Sequence, residues 1–227
     1  MDSGAWEQYS GLAEAAIERG YVVLSPEGSQ PGPRWAVPGG LDTGTDDLAF
    51  IDQLVVLVEE TVCIDRNAEF AAGYSAGAAM AHALSCVMPW RFAAVAGSGG
   101  MNLTATCAGS APTDVFIMHG TADPIAPPTG SQIVFAPPLG LPIDTVADTD
   151  AARAGCDPVP ATTRPTSGVS ARVFRGCDNN HRVQQWNMIG AGHTWAGAEP
   201  FPFDLIVGPT AAGFSANDVV LDFFDAT

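Results

Sequence analysis

EFAAGYSAGAAMAHALSCV, residues 69–87, is the stretch that decides the fold. Its first five residues, EFAAG, form a short apolar run of strand length, and good helix formers follow from Ala76 to about Val87. Between the two stands Gly73-Tyr74-Ser75-Ala76-Gly77, which fits G-x-S-x-G. Small residues on either side let strand and helix approach closely enough for a sharp, strained turn. Such a turn lifts the Ser75 hydroxyl above the C-terminal edge of a sheet. The new helix points its N-terminus at the same place, and the Ala76 N–H can meet a developing oxyanion there. Gly, Ser and Ala are common residues, so the strand–turn–helix setting carries the reading.

Outward from this turn the chain alternates. YVVLSPEG (21–28) is a continuous apolar run closed by Pro and Gly, and it predicts a buried parallel strand. Residues 29–45, with four Gly and three Pro, predict a long loop. Asp46 and Asp47 then open a helix whose Leu48, Ile51, Val55, Val58 and Val62 share one face. RFAAVAG (91–97), DVFIMHG (114–120) and RVQQWNMIG (182–190) read as strands. Residues 124–146 read as Pro-rich loop, 147–155 as a short helix and ANDVVLDFFDA (216–226) as an amphipathic terminal helix. Strands alternating with helices predict an α/β fold, a mostly parallel sheet with helices on both faces, in one domain over residues 1–227. Residues 1–20 read as a surface helix ending at Gly20. A domain of this kind rarely opens on a helix feeding an interior strand, so the expectation is an N-terminally incomplete domain, lacking strands that precede.

Composition narrows the functional classes. Of 227 residues, 47 % are hydrophobic and only 15 % charged, which excludes a disordered chain. A net charge of −16 repels phosphate backbones, so nucleic acid is not a partner. The basic residues are all Arg, which excludes Schiff-base lysine chemistry and a P-loop lysine. No apolar run reaches the roughly 18 to 20 residues of a membrane span. Gly190-x-Gly192 and Gly97-x-Gly99 fall short of a dinucleotide fingerprint, so no nucleotide cofactor is expected. DTGTDD (42–47) and DTD (148–150) match no calcium loop, and the His residues lack zinc spacing; no metal is expected. Five Cys stand at 63, 86, 107, 156 and 177. Pairing sequence neighbours, Cys86 with Cys107 and Cys156 with Cys177, is the simplest of several connectivities and leaves Cys63 over. Five reduced, buried thiols are the alternative.

A serine nucleophile needs a base, and four His are available. His82 lies seven residues along the same helix, about 10 Å away, and reads as a packing or surface residue. His119 ends a strand and suits a hydrogen bond to the following turn, while His181 precedes a strand and reads as exposed. His193 stands in GAGHTWAG, a Gly-rich loop after a strand that lets an imidazole hang over the sheet edge. His193 is the expected base. Its acidic partner is expected at Asp123, in HGTADPIAP directly after a strand, where it would fix the imidazole tautomer. The order Ser75, Asp123, His193 is that of α/β-hydrolases. Tyr74, Trp35, Met101 and Trp195 fall on loops near the predicted mouth, where they could stack on substrate or simply pack.

GYSAG, HGTADPIAP and GAGHTWAG resemble the nucleophile, acid and histidine motifs of the polyhydroxybutyrate depolymerase and feruloyl/acetylxylan esterase family. DDLAFIDQLV and RFAAVAG resemble its segments flanking the nucleophile strand, and ARAGCDP with Cys177 its disulfide-bearing loop. The resemblance implies a secreted serine carboxylic-ester hydrolase acting without a cofactor. Its substrate would be a polyester or the feruloyl and acetyl esters of polysaccharides, a polymeric or aromatic ester. It supports the disulfide pairing as well. The family's second oxyanion donor comes from a His-Gly loop that these residues do not contain, which leaves Ala76 as the donor unless the Gly99-Gly100 loop supplies another. A catalytically silent polymer-binding homologue and a serine peptidase on the same fold are the alternatives.

Overall fold

The computed structural model describes residues 2–29, 35–38, 46–130, 140–199 and 204–227. The elements in chain order are α1 (Ser3–Ser10), α2 (Leu12–Glu18), α3 (Asp47–Thr61), β1 (Phe70–Tyr74), α4 (Ala76–Val87) and β2 (Ala94–Ser98). After them come β3 (Asp114–Gly120), α5 (Ile143–Arg153), β4 (Ala161–Thr163), β5 (Val169–Val173), β6 (Val183–Met188), α6 (Asp204–Val207) and α7 (Ala216–Asp225). They build one six-stranded sheet in the order β1-β2-β3-β6-β5-β4. The first four of these pair in parallel, β5 pairs antiparallel with β6, and β4 pairs antiparallel with β5.

β3 shows why both faces carry helices. All its residues are buried, and side chains alternate across the pleat with period two. Val115 and Ile117 join one core with Met80 and Leu84 of α4, Val146 of α5 and Ile51 of α3. Phe116 and Met118 join the other with Ala16 of α2 and Val220, Phe223 and Phe224 of α7. Such a strand must be hydrophobic at every position, and DVFIMHG is hydrophobic throughout its middle.

The disulfides are Cys86–Cys107 and Cys156–Cys177, and Cys63 is free and exposed. Each closes a loop 21 residues apart in sequence, worth about 3 kcal/mol in the chain-entropy model.

Four elements differ from the sequence reading. The N-terminal helix is two helices, because Gly11 takes a left-handed conformation at φ 62° between them. The last helix before β4 starts at Ile143, four residues earlier than expected, directly after Pro142. β4 and β5 form an antiparallel hairpin that carries too few consecutive apolar residues to stand out. YVVLSPEG does not form a strand, and its Val22 and Leu24 are 52 % and 42 % exposed. The physical reason is the lack of a ladder. Across from it lies the free edge of β1, and between the two runs a groove of about 880 Å³ lined by Tyr21–Gly28 and by β1. Among the described residues no backbone hydrogen bond bridges it.

Glu69, immediately before β1, borders the same groove. The Arg91 guanidinium is shared by three carboxylates: Asp52 at 2.9 Å, Glu59 at 2.7 Å and Glu69 at 3.5 Å. Burial and the neighbouring Glu59 push the Glu69 carboxyl up to about 7, against the opposing pull of Arg91. The folded chain therefore retains a proton that the unfolded chain releases near pH 4.5. Stability from this group is present below that pH and is lost as pH rises through 7. Glu69→Gln is expected to leave stability unchanged at pH 4.5 and to raise it by about 1 kcal/mol at pH 8. That figure is discounted from the full shift because the groove admits water. Urea unfolding at the two pH values checks it, and an equal effect at both would refute it.

Candidate active site

β1 delivers Ser75 and α4 carries the chain away. Ser75 stands between them at φ 55°, ψ −121°, a region that non-glycine residues seldom occupy. The turn is held by the Ser75 N–H donating to the Ser98 carbonyl at 2.9 Å, and by close backbone contact on both sides. A Cβ at Gly73 would lie 2.2 Å from the Gly77 backbone, and one at Gly100 would lie 1.9 Å from the Ser75 carbonyl oxygen. Glycine at 73 is what allows strand and helix to meet here. Ala76 opens α4, and its N–H is among the first-turn donors that a helix leaves without an internal partner.

The loops after β3 and β6 close over this turn. His193 Nε2 lies 2.9 Å from Ser75 Oγ, and His193 Nδ1 lies 2.7 Å from Asp123 Oδ2. An ionised carboxylate only accepts, so Nδ1–H donates to Asp123 and Nε2 is left to accept the Ser75 proton. Asp123 is fixed in turn: its Oδ1 accepts from the Ile125 and Ala126 N–H groups, each at 2.8 Å. His119 Nε2–H donates to the Ala126 carbonyl at 2.7 Å and locks that turn from below. Burial holds the His119 pKa below the ordinary value, so it stays neutral beside Asp123. Asp123 and His193 are each 4 % exposed, which removes competing water from the chain of hydrogen bonds. The arrangement can take a proton from Ser75 and store the positive charge on an imidazole backed by a carboxylate.

Ser75 and His193 open onto the 880 Å³ groove, whose walls include Tyr74, Trp35, Ile125 and Val207. Two residues expected at the mouth are not there. Trp195 is fully buried, and its indole N–H donates to Asn217 Oδ1 at 2.7 Å. The reason is direction: Trp195 lies two residues beyond His193 and its ring turns inward onto Trp6. Met101 is 1 % exposed and packs beneath the turn, where it would meet a Cβ on Gly97. Tyr74 lines the groove, yet its hydroxyl is bonded to the protein, donating to the His193 carbonyl at 2.6 Å. Ile125 and Val207 were not singled out from sequence. Ile125 follows Asp123-Pro124 closely enough to be suspected, whereas the placement of Val207 depends on a backbone pairing with His193.

The other His residues are occupied elsewhere. Of the packing and surface places open to it, His82 takes the packing one, buried in the core between Thr104 Oγ1 and Asp150. His181 pairs with Asp114 at 2.9 Å and is partly covered. Among the described residues the one cluster of metal-ligand type is His82 with Cys86 and Cys107, whose two sulfurs are bonded to each other. Of the acidic runs, Asp148 pairs with Arg172 and Asp150 with His82. Residues 42–45 of the other run lie outside the described residues.

A mostly parallel sheet carrying this Ser–His–Asp geometry at its C-terminal edge has the α/β-hydrolase-type fold. The chain matches an acetyl xylan esterase from Aspergillus awamori in fold, with a TM-score of 0.68 at 15 % identity, covering 100 % of this chain and 85 % of that one. In sequence it is related to the feruloyl esterases. It is 30 % identical to feruloyl esterase C of Emericella nidulans over 73 % of this chain and 55 % of that protein. Feruloyl esterase D of Neurospora crassa is 28 % identical over 85 % of this chain and 60 % of its own length. The esterase NocK of Nocardia uniformis, itself named only as an expected esterase, is 29 % identical over 96 % and 69 %. The chain thus spans about 55 to 60 % of the length of the first curated relatives. No family model matches it.

Proposed function

We propose that this chain is a serine carboxylic-ester hydrolase acting through an acyl-enzyme on feruloyl or acetyl esters of polysaccharides. The observation that carries the proposal is the continuous line of hydrogen bonds Ser75–His193–Asp123 on a strained turn facing an open groove. Ser75 Oγ attacks the ester carbonyl as His193 Nε2 takes its proton. The oxyanion forms at the start of α4, where the Ala76 N–H and the helix dipole oppose its charge. Collapse expels the alcohol, which takes the proton from Nε2. Water then repeats the cycle: it gives its proton to Nε2, attacks the acyl carbonyl, and releases the acid as Ser75 recovers its proton. The residues supply all the proton transfers, and no cofactor enters these steps.

The choice of polysaccharide esters over polyesters follows the activities for which the relatives are named, and Trp35, Ile125 and Val207 give the groove apolar lining against which an acyl group would pack. The two disulfides favour an oxidising, extracellular setting. No helix among the described residues is long and apolar enough to cross a membrane. A panel of methyl ferulate, acetylated xylan, a short polyhydroxybutyrate and a peptide anilide tests the assignment. Turnover of the first or second supports it, preference for the third or fourth overturns the substrate class, and no turnover with any supports the silent binding protein.

A further inference from the structure

His193 has four polar groups, and all four are bonded. Asp123 holds Nδ1 and Ser75 meets Nε2. The backbone N–H donates to the Val207 carbonyl at 2.6 Å, and the backbone carbonyl accepts from the Tyr74 hydroxyl at 2.6 Å. Two consecutive residues, Tyr74 and Ser75, therefore grip the same histidine, one by its backbone and the other by its ring. The loop that carries His193 is rich in glycine, and Gly190 and Gly197 both take positive φ. A loop of that composition does not fix an imidazole by its own backbone preferences.

Tyr74 is itself braced. Its ring stacks on Trp6 of α1 at 5.6 Å with 8° between the planes, and it also meets the Tyr9 ring at 5.9 Å and the His193 imidazole at 5.0 Å. Trp6 also meets Trp195 edge-on at 5.1 Å, so one indole backs both Tyr74 and the residue two beyond His193. The same segment is tied to α1 by the Trp195 N–H, which donates to the Tyr9 hydroxyl at 3.1 Å. Burial drives the Tyr74 pKa far above the ordinary phenol value, so the hydroxyl remains a donor throughout the working pH range. Phenylalanine would pack equally well at this strand end and would leave the His193 carbonyl without this donor.

We propose that Tyr74 is a positioning residue: its hydroxyl on the His193 carbonyl, with Trp6 stacked behind its ring, holds the imidazole within hydrogen-bond reach of Ser75. The inference rests on the proposed roles of Ser75 as nucleophile and His193 as base. Loss of one such hydrogen bond lets the base drift from the productive geometry, and small misplacements lower rate steeply.

The test uses diisopropyl fluorophosphate, which phosphorylates an activated serine whatever the enzyme's natural ester, together with p-nitrophenyl acetate turnover. For Tyr74→Phe the labelling rate at Ser75, read by mass spectrometry, and kcat should both fall about five- to tenfold, with KM within twofold of native. The urea midpoint should stay near native, which separates positioning from a general loss of structure. Trp6→Ala should lower the same two rates, and Trp6→Phe should recover most of that loss. A Tyr74→Phe chain labelled at the native rate, or one changed only in KM, overturns the inference while leaving Ser75 as nucleophile. Absence of labelling in the native chain overturns the proposed role of Ser75, and this inference with it.

Discussion

Replacing Ser75 by Ala is expected to lower ester turnover by at least about ten-thousandfold while leaving the unfolding midpoint near native. The hydroxyl stands at the mouth of a groove and carries little packing energy, whereas it is the atom that forms the covalent intermediate. His193→Ala should lose nearly as much, because members of a nucleophile–base unit are not additive. The double variant should be no worse than either single one by more than a few-fold. Steady-state hydrolysis of a p-nitrophenyl ester at matched folded fraction measures all three. Near-normal rates in His193→Ala would show that another group accepts the Ser75 proton. No second base is close by: among the described residues, His82 is held between Thr104 and Asp150, and His119 donates to the Ala126 carbonyl.

Ser75, Asp123 and His193, which the structure brings together, were legible in the sequence for a physical reason. Each lies on the turn or loop that follows a strand of the parallel part of the sheet, and short apolar runs of strand length are a strong local signal. The glycines around Ser75 and His193 marked where the backbone had to bend. Trp195 and Met101 were misplaced because nearness in sequence to a site fixes only the backbone. Which way a ring turns is decided by partners far along the chain, Asn217 and Trp6 for Trp195. The apolar run YVVLSPEG had the right composition for a strand and no ladder to join, and hydrogen-bonded neighbours cannot be read from one segment. The β4–β5 hairpin failed in the opposite sense: its strands are short and broken by Thr162, Thr163, Ser170 and Arg172, so no apolar run stands out although Val169 and Ala171 are buried. The Tyr74 hydroxyl bond joins residues 119 positions apart, and nothing local announces it.

His82 takes the packing role of the two that the sequence left open, on an Ala-rich helix where a polar residue can equally mark a surface position. It is completely buried, and so is the group it meets. Asp150, on α5, accepts from His82 and lies 3.1 Å from Arg153 Nε. Arg153 is 2 % exposed in its side chain, and burial lowers its pKa against the opposing pull of Asp150. The terminal nitrogens of the guanidinium donate to the Ser85 carbonyl and hydroxyl, to Ser110 and to the Ala111 carbonyl. The cluster thus joins α4, α5 and the loop closed by Cys86–Cys107, at the far end of the helix that begins at Ser75.

Asp150→Asn keeps the shape of this cluster and removes its negative charge, leaving Arg153 charged and buried without a counter-ion. Breaking a buried pair from one side destabilises by about 3 to 5 kcal/mol, because the desolvation of the remaining ion is no longer offset. In a domain of this size that loss lowers Tm by about 10 °C. Asp150→Leu combined with Arg153→Met should recover most of the stability, since the apolar pair has no charge to desolvate. Ser75 labelling by diisopropyl fluorophosphate should stay close to native in Asp150→Asn at matched folded fraction, as the cluster touches neither His193 nor Asp123. Differential scanning calorimetry and urea unfolding of the two variants decide the matter. A single variant within about 1 kcal/mol of native would mean that water already reaches Arg153. A double variant no better than the single one would mean that the cluster's hydrogen bonds, rather than its charges, hold α4 against α5.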